Sequence, residues 1–309
     1  MDSTKNKVIT SDMSRARNHQ AWAALLFAAT LWGTNGIVFK QLGFLNIDAY
    51  SISFWRLALS VPFLWIMSRV FSGKWCLPVT RKSIMILLIL GGSMALYQLT
   101  YVLAIEKIGV AFSVLISICL APLFVAVIEV MFFKKTLKLM TVVALGLGVL
   151  GTALLVNVLS DTLITPENLV TGMLLAVVCA LFQALYVLSA HASSQVCNPM
   201  YAGAVAFAFG ALLLLPFSNW VLAQTFSPHI WILLLYVASV PTALAQTLFI
   251  TGVKIVGPIG AAIASLIEPL IASKLAMLFL NESMTWLGFI GAGLLLASLI
   301  CMQFRPAAN

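Results

Sequence analysis

The 309-residue chain is 62% hydrophobic and only 8% charged, with a mean hydropathy of +1.08. Soluble domains hold nearly equal apolar and polar shares and about a quarter charged residues, so this composition excludes a soluble protein and indicates an integral membrane protein. The formal net charge of +8 would suit a nucleic-acid partner, but its distribution along the chain favours another explanation.

Ten apolar segments of about twenty residues follow one another along the chain. A helix of that length crosses the roughly 30 Å hydrocarbon core of a bilayer, so the sequence predicts an all-α integral membrane protein with ten transmembrane helices. The segments lie at approximately 21–40, 48–70, 83–105, 108–133, 138–158, 169–190, 200–222, 230–252, 258–280 and 285–304. The linkers between them are too short for an extramembrane catalytic or nucleotide-binding domain.

The N-terminal tail, residues 1–19, is polar, and no small-residue cleavage pattern follows the first apolar segment. We interpret that segment as an uncleaved membrane helix rather than a signal peptide. The chain has five cysteines, and their spacing predicts neither a disulfide framework nor a metal site: Cys76, Cys119, Cys179, Cys197 and Cys301. We therefore expect no metal and no cofactor.

Basic residues are divided unevenly between the two sides of the membrane. With the N-terminus inside, 13 of the 17 Lys and Arg residues fall in cytoplasmic segments, whereas the outer segments hold only Lys40 and Lys107. This asymmetry follows the positive-inside rule and predicts a multi-pass protein with both termini in the cytoplasm. The basic excess therefore requires no nucleic-acid partner, and we expect the lipid bilayer and a small-molecule substrate instead.

An offset of 147 residues aligns the second half of the chain with the first. The matches fall in order without a gap: Lys107-Ile108 with Lys254-Ile255, Pro122-Leu123 with Pro269-Leu270, Phe132 with Phe279, and Gly146-Leu147 with Gly293-Leu294. The offset equals five segments, an odd number, so the second copy enters the membrane from the opposite face. Two inverted five-helix repeats are typical of alternating-access transporters, whose site lies at the repeat interface.

Several local patterns resemble the EamA family of the drug/metabolite transporter superfamily: "LLFAATLWGTNGIVFK", "FWRLALSVPF", "EKIGVAFSVLISICLAPLF" and "VKIVGPIGAAIASLIEPLIASKLAMLFLNESMTWLGFIGAGLLLAS". The resemblance implies two repeats, residues 20–158 (helices 1–5) and 169–304 (helices 6–10). It also implies export of amino acids or other small metabolites across the bacterial inner membrane. Two residues depart from the family pattern: Lys135, where a glutamate equivalent to Glu282 is common, and Lys274, where a small or apolar residue is usual.

Glu268 falls near the middle of the ninth segment, where an ionisable side chain costs roughly 2.5–3.5 kcal/mol and normally faces the bundle interior. Pro269 follows it, cannot donate to the carbonyl of Ser265 and favours a kink. Freed carbonyls are tolerated where they line a cavity. We therefore predict that Ser265 and Glu268 line a substrate cavity, with helix kinks at Pro269 and at its counterpart Pro122. The alternative role for Glu268 is an interhelical anchor.

Polar and aromatic residues on the inward faces of other segments extend the candidate surface, because polar groups in lipid need partners inside the bundle. Arg56, about two turns below the outer surface, either binds a carboxylate-bearing substrate or fixes the second helix to a neighbour. The remaining candidates are Trp32, Asn35, Tyr97, Tyr101, Gln183, Tyr186 and Gln246. Together they suit an amphipathic substrate such as an amino acid.

The charges near the segment ends and the faces of small residues are predicted to have structural roles. We expect Glu129 to form an interfacial ion pair with the adjacent Lys134 or Lys135. Lys274 is turned roughly 240° from Glu268, so no pair between them is expected, and its long stem can reach outward. Small residues spaced by four predict close helix packing or a homodimer contact: Ala144, Gly148 and Thr152, and Gly288 and Ala292.

Three other functions compete with secondary transport. A membrane enzyme is disfavoured because the histidines, His19, His191 and His229, are scattered and the acidic residues do not cluster as metal-assisted chemistry requires. A passive facilitator or uniporter of metabolites remains open. A membrane scaffold would not explain a charge near the midplane beside a repeated proline.

Overall fold

The computed structural model of the chain describes residues 2–72, 80–155, 166–219, 224, 226–280 and 286–303. All the regular secondary structure in this described part is helical. Its α-helices are α1 (Asp2–Gly33), α2 (Asn35–Phe44), α3 (Ala49–Ser72), α4 (Arg81–Phe133), α5 (Leu139–Leu155), α6 (Pro166–Val196), α7 (Pro199–Leu214), α8 (Pro228–Val237), α9 (Ala245–Val256), α10 (Pro258–Ser265), α11 (Ile267–Leu280) and α12 (Trp286–Gln303). Glu282 and the predicted repeat ends 158 and 304 lie outside the described residues.

Eight helical segments of the described part are long and apolar enough to cross a membrane. They are Ala16–Phe44, Ala49–Val70, Arg81–Ile108, Ile116–Phe133, Asn168–Val196, Pro199–Phe217, Pro228–Val256 and Pro258–Phe279, and Leu139–Leu154 and Trp286–Met302 are shorter apolar helices. These ranges overlap the ten apolar segments of the sequence one for one. Large apolar side chains such as Phe27, Ile66 and Leu174 are exposed on their outer faces, as expected of a surface that contacts lipid.

Helix α4 holds two of these segments and bends back on itself. Cys179 Sγ donates to the Tyr97 carbonyl oxygen (3.4 Å) and Ser117 Oγ donates to the Ala176 carbonyl oxygen (3.4 Å). A straight helix would separate Tyr97 from Ser117 by about 30 Å, yet their partners lie within one turn of α6. The first arm of α4 (81–108) therefore runs antiparallel to its second arm (116–133).

Local sequence signals fix where several helices begin and end. Thr80 Oγ1 accepts a hydrogen bond from the Ser83 amide (3.2 Å) at the start of α4, and Asn198 Oδ1 accepts from the Met200 amide (2.9 Å) at the start of α7. Both are N-caps, which satisfy amides that the first helical turn leaves unpaired. Gly257, at φ 88°, ends α9 and turns the chain directly into Pro258 of α10, a conformation that favours glycine.

Three of the apolar segments contain an interruption that hydropathy does not reveal. The first breaks at Thr34, between α1 and α2; the eighth contains a π-helical stretch, Ala238–Leu244, around Pro241; and the ninth breaks at Leu266, between α10 and α11. The last break lies just before Pro269, where the sequence predicts a kink. At Pro122, by contrast, α4 continues without interruption.

Equivalent helices of the two halves pack on each other in antiparallel pairs. Ser298 Oγ donates to the Ala144 carbonyl oxygen (2.7 Å), and a Cβ atom on Gly151 would lie 2.8 Å from the Gly291 carbonyl oxygen. The offset of 147 converts each of these contacts of α5 with α12 into the other. Helices α3 and α7 pack on each other in the same manner. An offset of 146 relates the contact of Gly210 with Leu57 to the contact of Gly203 with Leu64.

Candidate functional site

A narrow cleft lies where the second arm of α4, α6 and the break between α10 and α11 meet. Its lining residues are Ile118, Ala121, Pro122, Gln183, Val187, Ala262, Ser265, Leu266 and Glu268. The empty volume is about 290 Å³ including the space at its open side, but the enclosed part has room for only about one water molecule. This conformation is therefore too closed to hold a metabolite in the cleft.

The cleft lies between equivalent positions of the two halves. Ile118 and Ser265 both line it, as do Ala121 and Glu268, and each pair is related by the offset of 147. The two halves thus contribute matching helix faces to one space. The chemistry of these faces differs, since the first half presents apolar side chains where the second half presents a hydroxyl and a carboxylate.

Glu268 stands in the first turn of α11 and is half-buried. The N-terminal turn of a helix carries unpaired amides and a positive partial charge, which favours a carboxylate there. Helix α1 approaches this turn closely, because a Cβ atom on Gly33 would lie 3.0 Å from the Glu268 carbonyl oxygen. Ser265 is tied to its own helix through a hydrogen bond from Oγ to the Ala261 carbonyl oxygen (3.0 Å).

Arg56, on α3, supplies a positive charge to the same region. Its side chain is 6% exposed, and the guanidinium lies 5.7 Å from the ring centre of Phe39, within the range of a cation–π contact. Arg56 acts electrostatically on both Tyr97 and Glu268. In the described part of the chain, however, Arg56 and Glu268 form no direct ion pair, and Arg56 is not among the residues that line the cleft.

Aromatic residues continue from this charged region. Tyr186 donates from its hydroxyl to Gln246 Oε1 and stacks on Phe249, with ring centres 5.7 Å apart and planes inclined by 12°. Phe249 in turn contacts Trp32, with ring centres 5.1 Å apart. Tyr186 is also within electrostatic reach of Arg56 and Glu268. Gln246, Tyr186, Phe249 and Trp32 therefore form a continuous wall, hereafter the aromatic wall.

The structure thus brings most of the predicted site residues together. Gln183, Ser265, Glu268 and Pro122 line the cleft directly, and Tyr101 lies within electrostatic reach of Tyr97 and Glu268. Asn35 is buried in the first turn of α2. The predicted residues that do not line the cleft are Trp32, Asn35, Arg56, Tyr97, Tyr101, Tyr186 and Gln246. Pro269 also stays outside the lining, although the helix break beside it shapes the cleft.

Eight buried polar side-chain atoms have no hydrogen-bond partner within the described residues, and five of them belong to amide or guanidinium groups. These five are Asn35 Oδ1, Arg56 Nε, Gln98 Nε2, Gln183 Oε1 and Gln246 Nε2. Leaving such a group unsatisfied costs about 1–3 kcal/mol. One of these residues, Gln183, lines the cleft, so its side-chain oxygen offers an acceptor to water or a polar ligand there. This interior is therefore equipped to bind a polar solute.

Charges farther from the cleft have structural roles. Lys135 Nζ forms an ion pair with the buried Glu129, which confirms the predicted interfacial pair. The side chain of Lys274 is exposed, on a different face of α11 from Glu268. The small-residue face of α5 packs inside the chain, since a Cβ atom on Gly148 would lie 3.1 Å from Ser298 Oγ. Among the described residues, no group of three or more His, Cys, Asp or Glu could hold a metal ion.

The sequence prediction missed the apolar members of the site. Ile118, Ala121, Val187, Ala262 and Leu266 line the cleft but have no polar atom to draw attention to them. The offset of 147, applied to Ser265 and Glu268, would have identified Ile118 and Ala121. Gln98 was missed as well, although an amide in the middle of an apolar segment is itself a signal.

Comparisons with known proteins agree with this arrangement. The model of the EamA-like transporter family matches residues 20–157 and 170–304. The uncharacterized transporter YwfM of Bacillus subtilis is 27% identical over 91% of this chain and 93% of its own length, and an uncharacterized transporter of Archaeoglobus fulgidus is 28% identical over 90% and 94%. The uncharacterized inner membrane transporter YicL of Salmonella typhimurium is 25% identical over 90% and 93%. A solved crystal structure shares the fold, with a TM-score of 0.76 at 17% identity over 91% of this chain and 95% of that chain.

Proposed function

Because this chain belongs to the EamA-like transporter family and is thus a multi-pass membrane transporter rather than an enzyme, we propose that it is a secondary transporter of small metabolites. The proposed substrates are amino acids or related amphipathic compounds. The proposed direction is export across the bacterial inner membrane, by alternating access.

The architecture that we infer for this function has ten membrane-spanning helices in two inverted five-helix repeats, residues 20–158 and 169–304, with both termini in the cytoplasm. The antiparallel packing of the equivalent helices α5 and α12, and of α3 and α7, supports the inversion. The asymmetric distribution of Lys and Arg supports the orientation.

One observation carries the proposed function above the others. The cleft lies between equivalent positions of the two halves, Ala121 opposite Glu268 and Ile118 opposite Ser265, and inverted-repeat transporters bind their substrates at that interface. In this conformation the enclosed space has room for about one water molecule. A rocking motion of one half against the other would open it to one side of the membrane at a time.

Metabolite flux is the direct test of this function. We expect proteoliposomes that contain the protein to release at least one preloaded amino acid or similar metabolite faster than protein-free liposomes. We also expect cells that produce the protein to tolerate toxic amino-acid analogues better than cells without it. A broad metabolite panel that shows unchanged flux for every solute would contradict the proposed function.

Glu268 variants test the role of the cleft and separate coupled transport from facilitation. Glu268→Gln keeps the shape of the side chain but cannot exchange a proton, whereas Glu268→Ala removes both properties. If Glu268 couples protons to transport, Glu268→Gln should lose transport driven by a pH gradient and retain equilibrative exchange. A passive facilitator would respond to a pH gradient in neither form. Lys274→Gln is the matched control, because it removes a charge from the same helix away from the cleft.

If Glu268→Gln and Glu268→Ala both transport like the wild type at equal membrane abundance, Glu268 is a structural anchor. That result would remove the cleft from the proposed mechanism, whereas the flux panel would still decide whether the protein is a transporter.

A further inference from the structure

Two opposite charges face the central region of the protein without neutralising each other directly. Arg56 lies over the ring of Phe39 on α2, and α2 packs on α11, the helix that carries Glu268. The two charges act on each other electrostatically, yet they form no direct ion pair in the part of the chain that the structure describes. Arg56 Nε has no hydrogen-bond partner there either, although the side chain is only 6% exposed. The buried guanidinium and the half-buried carboxylate are therefore available to a charged solute once the closed space between the halves opens.

The other charges of the described spans have different surroundings. Glu129 is paired with Lys135, Lys274 is exposed, and Glu106 accepts a hydrogen bond from Tyr50 near the outer end of α3. Apart from the residues at the ends of the segments, this leaves Arg56 and Glu268 as the charges of the described spans that can interact with a solute in the interior.

We propose that the central region binds zwitterionic solutes in one fixed orientation, with the anionic group of the solute on Arg56 and its cationic group on Glu268. This inference rests on the proposed transport function and names the polarity of the ligand at that same site. A zwitterion satisfies both protein charges at once. A solute with a single charge satisfies one of them and leaves the other more poorly compensated, which is costly in a region shielded from water.

Neighbouring side chains fit the two ends of such a ligand. Arginine presents a planar fork of donors that matches a carboxylate, and Tyr97 lies beside Arg56 with a hydroxyl that can donate to the same group. At the other end, Glu268 and the unpartnered Gln183 Oε1 are both acceptors on the cleft. An ammonium group, which donates in three directions, can use the two together.

The uncharged remainder of the ligand has a separate surface. The aromatic wall, Trp32, Phe249, Tyr186 and Gln246, continues from the charged region, and Tyr186 lies within electrostatic reach of both charges. Stacked rings offer apolar area with little side-chain freedom to lose on binding. In this closed conformation Tyr186, Phe249 and Gln246 are almost fully buried, so an apolar or aromatic side chain of moderate size would pack there after the two halves move apart.

The two charges also belong to different halves of the chain. Arg56 lies in the first half and Glu268 in the second, and the equivalents of these positions, Ala202 and Ala121, are uncharged. A zwitterion that bridges Arg56 and Glu268 therefore links the halves electrostatically. A solute with one charge would contact one half only.

Matched sets of compounds test this polarity. We would measure the affinity of the purified full-length protein, from its tryptophan fluorescence, for L-phenylalanine, phenethylamine and hydrocinnamate, and for L-leucine, isoamylamine and isocaproate. Each set keeps the apolar part and offers both charges, the cation alone or the anion alone. We expect the zwitterion to bind about tenfold or more tightly than either analogue in at least one set, since each lost charge-assisted contact weakens binding by roughly that factor or more.

Charge variants should change selectivity reciprocally, which a purely structural role would not produce. Arg56→Gln should weaken zwitterion binding about tenfold to a hundredfold. In this variant the zwitterion should bind no more tightly than the amine of the same set. In the Glu268→Gln variant, the zwitterion should bind no more tightly than the acid of the same set. Arg56→Lys keeps the charge and should retain part of the affinity, and the double variant R56Q/E268Q keeps the interior neutral in case a single variant does not fold. Arg69→Gln, in the last turn of the same helix α3, is the control.

The outcomes also separate this inference from the proposed function. If the wild-type protein binds an amine or an acid as tightly as its zwitterion, or binds none of the six compounds while the flux panel finds another solute, the polarity is overturned and transport stands. Flux of no solute at all would overturn the proposed function and this inference together.

Discussion

Gly33 brings helix α1 into contact with the backbone that carries Glu268. A Cβ atom at this position would lie 2.7 Å from Ile271 Cβ and 3.0 Å from the Glu268 carbonyl oxygen, both too close for an unstrained contact. The absence of a side chain at Gly33 therefore sets how closely the first half approaches the helix break of the second half. A single added carbon atom at this position would therefore change the spacing between α1 and α11.

Gly33→Ala should consequently displace α11 and lower transport. We expect the added methyl group to cost roughly 1–3 kcal/mol of stability, the usual range for overpacking, and to weaken substrate binding at equal protein abundance. Gly146→Ala is the matched control, because a Cβ atom there meets nothing within 4 Å and alanine favours the helix. Thermal unfolding and transport rates measure the two effects; equal behaviour of both variants would contradict the importance of the close approach.

Single residues also mark the extent to which the site was predictable. Glu268, Gln183 and Arg56 could be predicted because a charge or an amide in an apolar segment has few explanations. Ala121 and Ile118 could not be chosen by chemistry, since apolar residues fill every span. Asn35 was predicted on the same polar criterion but, like Arg56, is not among the residues that line the cleft.

Two irregular elements, one from each half, are joined by a hydrogen bond. Tyr236 donates from its hydroxyl to Thr34 Oγ1 (3.1 Å), which connects the break between α1 and α2 with the start of the π-helical stretch Ala238–Leu244. Interrupted helices and π-helical turns are frequent at functional sites, where the local backbone must change shape. This contact is well placed to control such a change.

Tyr236→Phe should therefore alter the rate of transport more than the stability of the fold. Losing one interhelical hydrogen bond in a membrane costs about 0.6 kcal/mol on average, too little to unfold the protein but enough to shift a balanced conformational equilibrium. Tyr50→Phe is the control, since it removes an interhelical hydrogen bond to Glu106 (3.0 Å) away from both interruptions. Proteoliposome flux at saturating and limiting substrate gives the comparison, and equal rates in the two variants would argue against a gating role.

Interruptions of this kind also explain why the elements were only partly predictable. Hydropathy averages over about twenty residues, so it located the segments well but could not resolve a break at Thr34 or a π-helical stretch around Pro241. The boundary that it placed between the third and fourth segments agrees with the two spans Arg81–Ile108 and Ile116–Phe133, but it did not show that a helical stretch joins them through the bend. Such local geometry depends on the neighbouring helices, which a single segment does not encode.

At the scale of the whole molecule, the repeat relates the contacts between the two halves to one another. The contacts of Ala144 with Ser298 and of Gly151 with Gly291 are one contact seen twice, which is expected when two copies of a unit are related by a twofold axis. In the inverted architecture that we propose, antiparallel equivalents would place this axis in the plane of the membrane rather than along its normal. The sequence signal for inversion was the offset of five segments, an odd number, and the distribution of Lys and Arg was the signal for the orientation.

This symmetry fixes on which side of the membrane equivalent residues emerge. Lys135 and Glu282 are related by the offset of 147, so inverted repeats place them on opposite faces. We expect a single cysteine at Glu282, or at Asp161, to react with a membrane-impermeant maleimide in intact cells. Cysteines at Lys135, Lys74 or Asn309 should react only after permeabilisation. The background is a variant with all five native cysteines replaced, whose transport must first match the wild type. Labelling of positions 135 and 282 from the same side would exclude the inverted arrangement, because no odd number of crossings can return a chain to the face from which it started.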